Sequence, residues 1–361
     1  MKISTRSKSD GIALLIVMCA IFVLSILAAG LAFSMKVEST LAQRADTNQR
    51  LVWLGRSGVE LARWVLAQEA AIPGEPYDAL NQFWAGGPGG LGETNSALAG
   101  ISLNNYQIGD GTVSVKITDL ERFANINTAP GPEIQQALTL MGADAGEISV
   151  VSDSVQDWVQ PGDAPRIAGA KNDYYQGLNP TYNCKEAPMD DLSELLLVKG
   201  IWDHPEIYWG GAATNHPGAS FQHKLGFGNS PGEVPNYPFG LVDLFTPFSS
   251  GKININTADA NVLQLIPGVD NTVAASILKF RAGPDGAEGT EDDTPFQNVN
   301  QLAAAGVDPQ VVAQISRYCD VRSHTFTVTV TAQIGNYKRD FNAILYRNGP
   351  TVQVVSFYWN Y

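Results

Sequence analysis

Basic residues are scarce in this chain: 23 Lys and Arg stand against 36 Asp and Glu, a net charge of −13. A surface of that sign repels a polyphosphate backbone, which argues against nucleic acid as a partner. Histidine and cysteine are scarcer still, four and three residues in 361. Cys19, Cys184 and Cys319 show no C-x-x-C spacing, so zinc and dithiol redox chemistry have little to build on. His204, His216, His223 and His324 are scattered among Pro, Gly and aromatic residues. The chain also lacks a G-x-S-x-G elbow, a P-loop, H-E-x-x-H and a dinucleotide fingerprint, and it reads as a non-enzyme.

One further absence sets the topology. No charge occurs from Ile12 to Met35, in IALLIVMCAIFVLSILAAGLAFSM, and about 20 apolar residues suffice to cross a bilayer as a helix. Before it, Lys2, Arg6 and Lys8 outweigh Asp10, which keeps this end cytoplasmic and puts the bulk of the chain on the other side. The apolar run is longer than that of a cleaved secretory signal. Past Met35 no helix breaker occurs until Pro73, and Leu51, Leu54, Gly58, Leu61 and Val65 recur in alternating steps of three and four. That spacing predicts an apolar stripe on a helix continuous with the span.

Residues 73–100 are rich in Gly and Pro and read as an irregular connection. Gly111–Leu120 then alternates apolar and polar residues, the mark of a half-buried strand. Comparable strands return only around Phe326, Val328 and Val330, at Phe341–Tyr346 and at Val352–Val355. Between the two halves, Asn125-Ile126-Asn127-Thr128-Ala129 recurs as Asn254-Ile255-Asn256-Thr257-Ala258, each copy leading into a helical pattern. Thr128 and Thr257 are placed to act as helix N-caps. After the second copy, Val262–Val269 and then Val273, Ala274, Ile277 and Leu278 outline a helix, a Gly-turn and a helix.

Gly11 before the apolar run, with a short basic leader, resembles the prepilin peptidase site of type IV pilins and type II secretion pseudopilins. That resemblance implies cleavage between Gly11 and Ile12, with N-methylation of Ile12. Most such proteins carry Glu at the fifth mature position, where an ionised carboxylate in hydrocarbon needs a partner; here it is Ile16. Absence of this Glu is a feature of the K-type minor pseudopilins of type II secretion. Further likeness to that family lies in the paired Asn-Ile-Asn-Thr entries, Asp157-Trp158, Tyr174-Tyr175 and Leu192–Gly200. The family's Asp-Trp element is commonly followed by further acids, whereas here it runs Val159-Gln160-Pro161-Gly162-Asp163.

The resemblance implies an α+β, pilin-like fold: a long N-terminal helix packed on an antiparallel sheet, with a large, mostly helical domain of SAM-like or helix-hairpin-helix pieces inserted between strands. The expected organisation is leader 1–11, spanning helix 12–35, its outer continuation 36–72, first sheet part 73–122, helical insert 123–322 and closing strands 323–361. The implied role is a minor pseudopilin that caps the pseudopilus tip and helps start its assembly for export of folded proteins. Expected partners are I-type and J-type minor pseudopilins through the long helix, the prepilin peptidase and the inner-membrane assembly platform. A minor pilin of a type IV pilus is the alternative. A DNA-receptor reading fits less well, because Gly268-Val269-Asp270 puts an acid where a helix-hairpin-helix module would hold phosphate.

Two local features carry chemistry. Gly283–Pro295 holds five carboxylates in a glycine-rich loop, and calcium takes six to eight hard oxygens. The loop reads either as a solvated acidic turn or as a calcium site. Related pseudopilins bind calcium, which favours ligands from Asp285, Thr290, Glu291, Asp292 and Asp293. Cys19 lies in the apolar run, which leaves Cys184 and Cys319 as the pair that could form a disulfide, with free buried thiols as the alternative.

Overall fold

The computed structural model describes residues 10–210 and 237–359. Helix α1, Asp10–Glu69, runs unbroken for 60 residues, about 90 Å at the usual rise per residue. Its first part is fully exposed and apolar, with an 18-residue window of mean hydropathy 3.1. Its last part carries the predicted stripe: Leu51, Leu54, Gly58 and Val65 are buried and Leu61 is half-buried, with Val59, Ala62 and Leu66 buried beside them.

The stripe packs on a five-stranded antiparallel sheet of order β1-β2-β7-β8-β9. The strands are β1 Tyr106–Ile108, β2 Gly111–Asp119, β7 Thr325–Ile334, β8 Tyr337–Asn348 and β9 Thr351–Trp359. Four two-residue bridges, β3 to β6, fall between β2 and β7 in the chain. Register sets Val115 beside Val330 and Val330 beside Phe341, so one face of three strands presents a continuous apolar row. Helix and sheet approach closely because α1 carries glycine at the contact. A Cβ at Gly55 would enter the Phe341 ring, and one at Gly58 would collide with Val330. Arg63 Nε adds a hydrogen bond to the Val352 carbonyl at 2.8 Å. Trp84, from the irregular stretch after α1, closes this core edge-on against Phe326 at 5.3 Å.

Among the described residues between β2 and β7, helices are the main regular elements, and these residues have their own core, built around Ile134, Leu138, Val155, Leu195, Leu263 and Ile277. The two Asn-Ile-Asn-Thr copies open it in the same way. Each starts in a two-residue parallel bridge: β3, Ala124–Asn125, with β4, Phe245–Thr246, and β5, Ile253–Asn254, with β6, Cys319–Asp320. The first copy leads into α2, Gly131–Met141, and α3, Ala145–Val159. The second leads into α4, Ala260–Leu263, a turn at Gly268 with φ +91°, and α5, Asn271–Arg281. Helix α6, Pro309–Ile315, then leads back to the sheet through β6.

The threonines of the copies are not the helix caps. Pro130 and Asp259 occupy those positions. Thr128 instead turns its hydroxyl to the Asn125 carbonyl, and Thr257 turns its own to Asp119. The physical reason is the preceding Asn. In both copies its side chain accepts from the amide two residues on, while its carbonyl accepts from the amides three and four residues on. The first free amides are thereby satisfied before the helix begins.

Candidate functional site

The residues that join helix, sheet and insert converge at the open end of β2. Asp119 is buried there and accepts from the hydroxyl of Thr257 at 2.5 Å, the hydroxyl of Ser323 at 2.7 Å and the amide nitrogen of Asn254 at 3.2 Å. Its other oxygen accepts from the backbone N–H of Glu121 at 2.8 Å. Burial pushes the Asp119 carboxyl up, and the hydrogen bonds from Thr257 and Ser323 oppose that shift. Beside it, Arg347 of β8 is buried with its guanidinium on the Asp78 carboxylate, donates to the Ser323 carbonyl at 2.7 Å and lies 4.8 Å over the Phe326 ring. The Ser323 amide returns to Asp78 at 2.7 Å. Glu121 completes the junction by accepting from the Ser250 and Thr325 amides.

Such a network orients rigid parts and pairs most of its buried polar atoms, with Asp78 Oδ1 and Arg347 Nη1 left without a hydrogen bond. Arg347 and Asp78 are 269 positions apart, so no local pattern announces the pair. The second Asn of each copy works alongside it. Asn256 exchanges two hydrogen bonds with the Phe296 backbone at 2.8 and 2.9 Å, and Asn127 does the same with Met189 at 2.6 and 3.0 Å. Each copy thus clamps an extended segment that arrives from 40 or 62 positions downstream.

Residues 115–207 match the family described as type II secretion system (T2SS), protein K, and residues 249–319 match the helix-hairpin-helix motif. The type II secretion system protein K of Klebsiella pneumoniae is 23% identical, over 98% of both chains. That of Pseudomonas aeruginosa is 24% identical over 83% of this chain and 79% of the other. The chain is thus similar to type II secretion system protein K, over residues 115–207 by family and along most of its length by relatives. Among solved structures, the crystal structure of the GspK-GspI-GspJ complex from enterotoxigenic Escherichia coli aligns over 89% of this chain and 99% of that one. The TM-score is 0.60 at 17% identity, a likeness of fold. Among the described residues, one helix is long and apolar enough to cross a membrane.

The individual sites expected from the sequence fall as follows. Gly11 and Ile12 lie in the first turns of α1, with residues 1–9 outside the described part. His216 and His223 also lie outside it. The Cys184–Cys319 bridge is not formed: both are free, buried thiols. Cys184 Sγ is turned to the Asp157 carbonyl at 3.5 Å, while Cys319 is held in β6 against Ile253. Burial raises both thiols, Cys319 to about 12. Asp157 is taken up by Arg166, which reaches one oxygen with its guanidinium at 2.7 Å and the other with its backbone amide at 2.9 Å.

The acidic loop is drawn together by its own hydrogen bonds. Asp292 accepts from the Asp285 amide at 2.9 Å and the Thr290 hydroxyl at 2.8 Å, and Asp293 accepts from the Gly289 amide at 2.8 Å. The Thr290 hydroxyl, then the Asp285 amide, hold the Asp292 carboxyl below the usual carboxylate range. Four of the five predicted ligands, Asp285, Thr290, Asp292 and Asp293, therefore share one turn. Among the described residues, the group of three carboxylates close enough to share one ion lies elsewhere, at Glu69, Glu75 and Glu93. Neither that group nor the Asp119 junction was foreseen from the sequence. The one available signal was the recurrence of Asn-Ile-Asn-Thr beside an acid that ends a strand.

Proposed function

We propose that this chain is the minor pseudopilin at the tip of a type II secretion pseudopilus, where it helps to start assembly. The observation that carries the reading is the single helix α1, which is exposed and apolar where it would cross the inner membrane and buried against the sheet where it leaves it. Ile16 supports a subunit with nothing above it, because no carboxylate is offered to a neighbour's amine inside the bilayer. The insert between β2 and β7 supports the same end position, since its bulk is hard to repeat along a filament. Two other minor pseudopilins would dock along α1, with the bulk of the chain in the periplasm. The work is assembly rather than catalysis.

The reading requires processing by a prepilin peptidase between Gly11 and Ile12, with methylation of the new amine. Mass spectrometry of the intact N-terminus from cells with an active peptidase tests it. A chain starting at Ile12 supports the pseudopilin role; one that keeps residues 1–11 makes this a plain single-pass anchor. Calcium in the 283–295 loop belongs to the same proposal, with Asp285, Glu291, Asp292 and Asp293 as the acids and Thr290 or backbone carbonyls completing the shell. A calorimetric calcium signal that Asp292→Ala leaves unchanged would remove that loop as the site.

A further inference from the structure

A second group of acids lies where α1 ends. Glu69 is on the last turn of the helix, Glu75 comes from the stretch that follows it, and Glu93 comes from a single helical turn, Leu91–Thr94. One carboxylate oxygen from each lies within 4.8 Å of the others, and all three residues are buried, Glu69 to 2% exposure. Glu93 is fixed from outside the group, accepting from the Phe83 amide at 2.9 Å and the Gly90 amide at 2.6 Å. Gln82 holds Glu75 at 3.3 Å and, through its other end, the indole of Trp84 at 2.9 Å. Glu69 differs from both: its two oxygens are buried and accept from no N–H or hydroxyl donor, and one of them lies within the group, against Glu93.

Neither Glu69 nor Glu93 forms an ion pair with a Lys or Arg of the described residues. An uncompensated buried carboxylate is costly, and three so close together cannot all ionise without a counter-charge. Two carriers of positive charge are available, a proton or a cation. If a proton does the work, it belongs on Glu69. Burial first, then Glu93, Asp78 and Glu75, push that carboxyl up to about 10. The same fields raise the neighbouring Tyr77 to about 12, after burial.

We infer that Glu69, Glu75 and Glu93 form a divalent-cation site for calcium, a staple between the end of the long helix and the stretch that covers it. All-oxygen donors select a hard cation, and two free oxygens on Glu69 allow bidentate binding of the kind calcium accepts. The site is distinct from the 283–295 loop and independent of filament position. Its function is mechanical. The cation ties the last turn of α1 to the segment bearing Trp84, and so holds the helix to the edge of the sheet core.

The test uses the full chain in detergent micelles carrying Asp292→Ala, which silences the acidic loop. Adding millimolar calcium chloride after chelation is expected to raise the thermal midpoint by about 5 °C, the scale of a ligand near one hundred times its dissociation constant. Glu69→Gln is expected to abolish that rise. Terbium excited through Trp84 should emit in the Asp292→Ala chain and be displaced by calcium, a readout that stands even if the Gln variant fails to fold. No calcium response in the Asp292→Ala chain, or a response that Glu69→Gln leaves intact, would overturn the site and leave a shared proton as the compensation.

Discussion

Thr257 donates a hydrogen bond to Asp119 at 2.5 Å across 138 sequence positions, joining the entry of the second helical pair to the end of β2. The contact explains why Asp119 is tolerated in a dry interior. Its charge is spread over donors from the insert and from the return to the sheet, with one amide of its own loop. Asp119→Ala should strand the hydroxyls of Thr257 and Ser323 together, while the Asn254 amide keeps the Ser323 hydroxyl and the Asp78 carbonyl. The expected loss is about 3 kcal/mol, read as a lower urea midpoint of the full chain in detergent. Asp119→Asn, which keeps one acceptor, should fall between the two.

The glycines of α1 make a second, sharper prediction. Gly58→Leu must push the helix away from Val330, since even a Cβ at that position comes within 3.1 Å of Val330 Cγ2. Overpacking of this kind costs about 1 to 3 kcal/mol. Gly30→Ala is the control, because a Cβ there meets nothing within 4 Å. Thermal unfolding of both variants should separate them cleanly. An unaffected Gly58→Leu would mean that helix and sheet do not touch as described.

Asn256→Ala removes both hydrogen bonds to the Phe296 backbone, which follows the acidic loop directly. The N–H and C=O left behind are buried, so we expect a loss of about 2 to 4 kcal/mol. The local consequence is easier to see than the global one. Limited proteolysis should cut within residues 283–295 faster than in the unaltered chain. Asn127→Ala should instead loosen the segment around Met189 and leave the acidic loop alone.

These cases also mark what could be read in advance. The stripe from Leu51 to Val65 and the strand at Gly111–Leu120 were legible because each repeats with the period of one element against one partner surface. The Asn-Ile-Asn-Thr copies were legible as a repeat, but their role was not. Thr128 and Thr257 have the side chain of a cap, and only the turn made by the preceding Asn shows that the helix starts later. Arg347 with Asp78, and Glu69 with Glu75 and Glu93, were illegible for a different reason. Their partners meet through the folding of the sheet or of an aperiodic stretch, and nothing in local composition separates a buried Glu69 from an exposed Glu60 on the same helix. The choice between a disulfide and free buried thiols was illegible on the same ground, since scarcity of cysteine says nothing about where two thiols point.

The acids after α1 finally predict how stability varies with pH when calcium is chelated. A carboxyl that ordinarily titrates at 4.5 and is raised by burial to about 10 binds its proton more tightly in the folded chain. Its contribution is therefore complete below about pH 4.5 and is lost as pH rises toward about 10. The slope is at most about 1.4 kcal/mol per pH unit. Glu121 and Glu133, raised chiefly by burial to about 8 and about 7, titrate within the same window and steepen the same decline. The informative quantity is therefore the difference between the unaltered chain and Glu69→Gln, measured by urea unfolding from pH 5 to pH 9. The variant should become the relatively more stable of the two as pH rises, because it carries no proton to lose. Two curves that stay parallel would mean that Glu69 is already compensated by something other than a proton.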